Sequence, residues 1–184
     1  MRQLVVAVFI SGFIKILPLQ AETLQVPSLA DLAAHPEFTQ AAISPDGKHL
    51  AVDVVHEGKR ALAVLSLSDM QPISVTGFYD QSEVGAFQWV NDERLVLSIV
   101  RKRPGRKAPG QFGEIYAVNA DGSAPKYLYG INAEEPVFGG GIVLDTFGER
   151  HVIIQGIPFS RRVGKDGIPE ALKVNIYSGR INRL

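Results

Sequence analysis

The sequence predicts an all-β fold: hydrophobic residues recur with period two, turn signals interrupt them at short intervals, and one strand pattern repeats three times. Leu50, Val52 and Val54 alternate after the turn Ser44-Pro45-Asp46-Gly47, as Leu95, Leu97 and Ile99 do after Asn91-Asp92-Glu93. Leu50 and Leu95 are roughly 45 residues apart, which matches the spacing of propeller blades. Four strands can be drawn in each unit. The expected architecture is therefore a partial β-propeller of about three four-stranded antiparallel blades, preceded by a signal peptide and one short helix.

The N-terminus reads as an address. Arg2 supplies a positive start, Leu4 to Ile14 is apolar except for Ser11 and Gly12, and Leu19-Gln20-Ala21 ends on a small residue. Lys15 and Pro18 interrupt the apolar run well short of the roughly 20 residues that span a bilayer. Residues 1–21 are thus expected to be a signal peptide cleaved after Ala21, sending the chain to the periplasm or beyond. Ser28 followed by Asp31, with Leu29, Leu32 and Ala33 around them, predicts a capped short helix within residues 22–37 that stops at His35-Pro36.

The blades are expected at about residues 38–76, 84–130 and 136–184. The first has a strand to Ile43, then the Leu50 strand, a turn at Glu57-Gly58-Lys59, a strand from Ala61 to Leu67, and Pro72 to Val75. The second comprises Val84 to Trp89, Arg94 to Val100, Glu114 to Asn119 and, after Asp121-Gly122, Lys126 to Tyr129. The third comprises Gly141 to Leu144, Arg150 to Gln155, Leu172 to Ile176 and Ile181 to Leu184, with Arg150 aligned to Arg94. Arg94 to Val100 is apolar on both faces, so it expects neighbours on both sides. Stacked blades supply them, and because closed propellers typically have about four to eight blades, three leave two bare terminal faces.

Three segments carry a resemblance. Val26-Pro27-Ser28-Leu29-Ala30-Asp31 leading to His35-Pro36-Glu37-Phe38, then Ile43 to Ala51, then Phe87-Gln88-Trp89-Val90-Asn91-Asp92-Glu93-Arg94-Leu95, resemble the start of bacterial prolyl oligopeptidase family serine peptidases. More narrowly, they are similar to the exported dipeptidyl or acylaminoacyl peptidase-like branch. The resemblance implies an N-terminal propeller that filters access to the Ser-Asp-His site of a C-terminal α/β-hydrolase domain. Here the chain ends after the third blade and contains no Gly-x-Ser-x-Gly nucleophile elbow, so no catalytic residue is carried over. The expected role is a non-catalytic propeller segment that gates peptide access, from a truncated product, a partial reading frame or a split protein. The alternative is a stand-alone periplasmic propeller-like module that binds protein through its open blade edges.

Other chemistry is sparse. Nineteen basic and nineteen acidic residues cancel, and losing Arg2 and Lys15 with the leader leaves a slight acidic excess, so no nucleic-acid or membrane partner is expected. There is no cysteine, and His35, His49, His56 and His151 do not form a ligand pair, so no metal or cofactor is expected. His49 is expected to be exposed, His151 to sit in a strand, and Trp89 to lie in a blade core. Gly139-Gly140-Gly141 lacks the lysine and helix of a phosphate loop and reads as a turn or a close strand approach. Asp80, Glu83, Asp92, Glu93, Glu134 and Glu135 read as turn-capping, solubilising acids. The candidate contact for peptides or a partner is the basic loop of Arg101, Lys102, Arg103, Arg106 and Lys107, whose plainer reading is a solvated hairpin, while a missing hydrolase domain or partner chain is expected at the open blade edges.

Overall fold

The computed structural model describes residues 38–102, 105, 110–134, 139–158 and 169–184. The expected signal peptide and the Ser28 helix lie outside them. The described residues form twelve strands and no helix. The first sheet contains β1 (Ala41–Ile43), β2 (His49–His56), β3 (Lys59–Ser66) and β4 (Pro72–Thr76). The second contains β5 (Ser82–Trp89), β6 (Arg94–Arg101), β7 (Gly110–Asn119) and β8 (Lys126–Tyr129). The third contains β9 (Gly139–Phe147), β10 (His151–Pro158), β11 (Glu170–Asn175) and β12 (Ile181–Arg183). Each is an antiparallel meander with strands paired in chain order. The chain is a partial propeller-like array of three four-stranded blades.

The second sheet is buried on both faces, as its sequence requires. Val84, Phe87, Trp89, Leu95, Leu97 and Ile99 form one core with Ala51, Leu62 and Val64 of the first sheet. Val96, Ile115, Ala117, Leu128 and Tyr129 form a second core with Val152, Ile154, Leu172 and Val174 of the third. Adjacent residues of β6 thus belong to different cores, because side chains alternate across the pleat.

Three turn hydrogen bonds recur and fix the equivalence of the blades. The amides of Leu67, Ala120 and Ile176 donate to the carbonyls of Lys48, Glu93 and Arg150 at 2.8, 2.7 and 3.0 Å. His151, not Arg150, therefore matches Arg94, and the expected alignment is corrected by one residue. That slip decides which face each side chain takes. Under the corrected register Val152 matches Leu95, and both point toward the preceding blade.

Bulges adjust the faces further. Between Val84 and Phe87 the pairing of β5 with β6 shifts, which puts both residues in the first core. In β9, Val143 pairs Ile154 and Asp145 pairs Ile153, leaving Leu144 as the extra, exposed residue. Gly141 is a close strand approach: a Cβ there would lie 2.5 Å from Tyr129 Cδ1 and 2.7 Å from the Gly113 carbonyl. Its neighbours Gly139 and Gly140 belong to β9 rather than to a turn.

Gly141→Ala is accordingly expected to destabilise the fold by about 1–3 kcal/mol through overpacking. Leu97→Ala, at a site 1% exposed in the first core, should cost about 2–5 kcal/mol. Gly77→Ala, where the new methyl would meet Ala61 Cβ at an ordinary 3.7 Å, should stay within about 0.5 kcal/mol of the parent. Urea unfolding followed by near-ultraviolet circular dichroism checks all three, and equal midpoints would refute the packing described.

Candidate functional site

A meander has two ends, and they differ here. At one end, the turn end, lie the first and third turns of each sheet; at the other, the link end, lie the second hairpin of each sheet and the links between sheets. Polar chemistry is concentrated at these ends, where strand pairing stops.

At the turn end Arg94 is 1% exposed and holds the second and third blades together. Its Nε donates to the Ile176 carbonyl at 2.9 Å, Nη1 to Asn119 Oδ1 at 2.6 Å and Nη2 to the Ala124 carbonyl at 2.9 Å. The Arg94 and Arg150 guanidinium groups both lie over the Tyr177 ring, 5.0 and 4.8 Å from its centroid. Burial pulls the Arg94 pKa below its ordinary value, and the guanidinium is satisfied by neutral acceptors rather than a carboxylate. Asn91 Nδ2 donates to the Glu149 carbonyl at 2.7 Å and to Tyr177 Oη at 2.9 Å, closing the same seam. These inter-blade contacts were missed in the sequence; the one signal was a charged residue opening an otherwise apolar strand.

The first turn brings together a serine, an aspartate and a histidine without assembling a nucleophile. Ser44 Oγ donates to Asp46 Oδ1 at 2.7 Å and accepts the backbone amide of His49 at 3.0 Å. The His49 imidazole instead stacks on Trp89, with ring centroids 6.1 Å apart, so His49 is half-buried rather than exposed as expected. Trp89 lies in the blade core, and its Nε1 donates to the Ala42 carbonyl at 3.0 Å. Asp46 is held at about 2 by the hydrogen bonds of Ser44 and Lys48.

At the link end the carboxylates are buried and paired. Asp53 accepts the amides of Thr39 and Gln40 at 2.6 and 2.8 Å, and it also bonds the Thr39 hydroxyl and the Arg60 guanidinium. Burial opposes its charge, but these donors outweigh burial and keep its carboxyl below the ordinary range. The Gln40 side chain donates through Nε2 to the Phe87 carbonyl and accepts the Phe87 backbone amide through Oε1 at 3.2 Å, pairing the first blade with β5 as a strand would.

Of the basic-loop residues, Arg101 and Lys102 are described. Arg101 Nη2 pairs with Glu114 at 2.6 Å, and Lys102 Nζ pairs with Glu83 at 2.6 Å. Glu114 also accepts Asn132 Nδ2 at 2.7 Å. Both carboxylates are nearly fully buried, so Glu83 is an internal counter-ion and not the solubilising surface acid expected. Arg103, Arg106 and Lys107 lie outside the described residues. Among the other expected acids, Glu134 pairs with Lys126 at 2.7 Å while Asp92 and Glu93 are exposed at a turn. No group of three metal-ligating side chains occurs among the described residues. No helix among them is long and apolar enough to cross a membrane.

No known protein-family pattern matches the chain. No curated protein resembles it significantly in sequence. Among solved structures it is similar to a protein described as a conserved lipoprotein from Clostridium novyi NT, at 13% identity and a TM-score of 0.53, covering 77% of this chain and 88% of that one. It also aligns with hydrazine synthase of Kuenenia stuttgartiensis at 12% identity and a TM-score of 0.40, over 78% of this chain and 57% of that one. A puromycin-hydrolysing peptidase of Mycobacterium tuberculosis aligns at 13% identity and a TM-score of 0.33, over 82% of this chain and 29% of that one. The first of these likenesses concerns the fold alone.

Arg94→Met should destabilise the chain by about 3 kcal/mol, because it strands buried acceptors that a charged donor now satisfies. Chemical denaturation measures this, and an unchanged midpoint would contradict the role assigned to Arg94. Asp46 and Asp53 have folded pKa values below their unfolded ones, so their stabilisation is present above about pH 4. It is lost as pH falls toward the value of about 2 held by Asp46. A urea-midpoint profile should therefore fall below pH 4, and Asp53→Asn should flatten it.

Proposed function

We propose that this chain is a non-catalytic propeller segment of the prolyl oligopeptidase-like kind, exported to the periplasm or beyond after cleavage behind Ala21. Its role is to admit or hold polypeptide at the link end, for a hydrolase centre built from residues other than those described. The order of the motifs after the leader supports the family reading, and the three meandering blades are the architecture that reading needs. The single observation that carries the binding site is the anchoring of the basic loop's first stem. Arg101 ties β6 to Glu114 of β7, and Lys102 ties it to Glu83 of β5. The loop thus departs from a fixed base, and the charge of Arg101 and Lys102 is already answered internally. In this reading Arg103, Arg106 and Lys107 are the residues that contact an acidic peptide.

A second reading, a stand-alone module that binds protein through its open blades, is favoured by the unstacked face of the first sheet. There Ile43, Ile73 and Val75 are exposed beside the half-buried Leu50 and Val54. This is the face that the equivalent residues of the other two blades bury against a preceding blade.

The combined variant Arg103→Ala, Arg106→Ala, Lys107→Ala should weaken binding of a fluorescent hexaglutamate peptide at least about tenfold with an unchanged melting point. Arg101→Ala should instead lower the melting point, because it leaves Glu114 buried without its counter-ion. Peptide affinity that survives the triple variant intact would remove the loop from the site.

A further inference from the structure

The β2–β3 hairpin and the link from β4 to β5 enclose a pocket of about 300 Å³ at the link end of the first blade. That is the lower end of the size range of small-ligand sites. Ala61, Val75 and Phe78 give it apolar walls, and Tyr79 stands beside them with 90% of its surface exposed. Phe78 is fixed from behind by an edge-on contact with Tyr116, centroids 5.1 Å apart, so that wall is rigid.

The charged groups facing this space are His56, Glu57, Lys59 and Arg60. Arg60 is committed to Asp53 and donates to Thr39 Oγ1 at 2.9 Å. Lys59 differs: its ammonium donates to the Phe78 carbonyl at 3.5 Å and has no carboxylate partner among the described residues. An ammonium has three donors, so at least two remain for a ligand. Glu57 lies at the exposed hairpin tip.

Positive-φ turn residues flank the same pocket. Glu57 has φ 51° in the hairpin, and Asp80, next to Tyr79, has φ 56°. At Glu57 the angle belongs to the two-residue hairpin turn it shares with Gly58, φ 76°, which fixes the hairpin beside the pocket. The pocket thus has an uncovered aromatic on one side and an available ammonium on the other.

We propose that this pocket binds a carboxylate carried on an apolar body, with Lys59 taking the carboxylate and Tyr79 and Phe78 packing on the apolar part. In a polypeptide that chemistry comes from a C-terminal apolar residue or from an acidic side chain beside one. The inference takes its ligand class from the peptide-holding reading above, but it involves neither the basic loop nor a partner domain.

Calorimetric titration of the full chain with N-acetyl-Ala-Phe, its C-terminal amide, and N-acetyl-Asp-Phe-amide tests it. Binding of the free acid at least about tenfold tighter than the amide is expected, the size of one charge-assisted contact. If the aspartyl amide is the tighter charged ligand, the acidic side chain is the source; if the free acid is, the chain terminus is. Lys59→Met should erase the preference for charge and Lys59→Arg should restore it, while Tyr79→Ala should weaken both acid and amide. Circular dichroism confirms that each variant folds. Equal affinity of the amide and both acids, no binding of either acid, or a preference that survives Lys59→Met would overturn the proposal. Because the probes require no basic loop, loss of hexaglutamate binding in the triple variant and loss of acid binding in Lys59→Met are separable failures.

Discussion

A sheet whose two faces are both apolar cannot stand in water, and the second blade is such a sheet. Its β6 strand places Leu95, Leu97 and Ile99 in one core and Val96 in the other, so a neighbouring sheet must cover each side. Everything else in the described chain follows from that demand. The first and third blades are the covers. The hydrophobic term is large but carries little information about angle or register, because apolar surface is non-directional.

Directional contacts supply that information at the blade ends. Gln40 pairs with the backbone of Phe87 and Trp89 reaches the Ala42 carbonyl, so the first two blades are registered by hydrogen bonds. Arg94 and Asn91 do the same between the second and third. A slipped blade would leave the buried Arg94 and Trp89 donors unsatisfied, which costs more than the bonds contribute when made. Polar residues therefore fix the arrangement that apolar residues drive.

The same division separates structure from function. Blade cores are apolar; the ends carry most of the charges, the turns and the first-blade pocket. At the link end Asp53, Glu83 and Glu114 are buried and consumed by Arg60, Lys102 and Arg101. What is left to meet a ligand is set by subtraction, and Lys59 is the described cation of the first-blade pocket that survives it. A cluster that looks uniformly basic in sequence is thus part foundation and part contact surface.

Much of this was legible in the residues. Period-two alternation, the Pro-Asp-Gly and Asp-Gly turns and the repeat near 45 residues specify strands, hairpins and blade number, because each depends on neighbours close in the chain. The place of Trp89 in a core followed from the same pattern. The sequence did not disclose the one-residue offset at Arg150, the bulge that puts Val84 and Phe87 on one face, the burial of Glu83, or the stacking of His49 on Trp89. Nor did it show which cation stays available. Those features depend on which atoms meet across blades that are distant in sequence, and only the packed tertiary structure decides whether a charge faces water, a partner or a ligand.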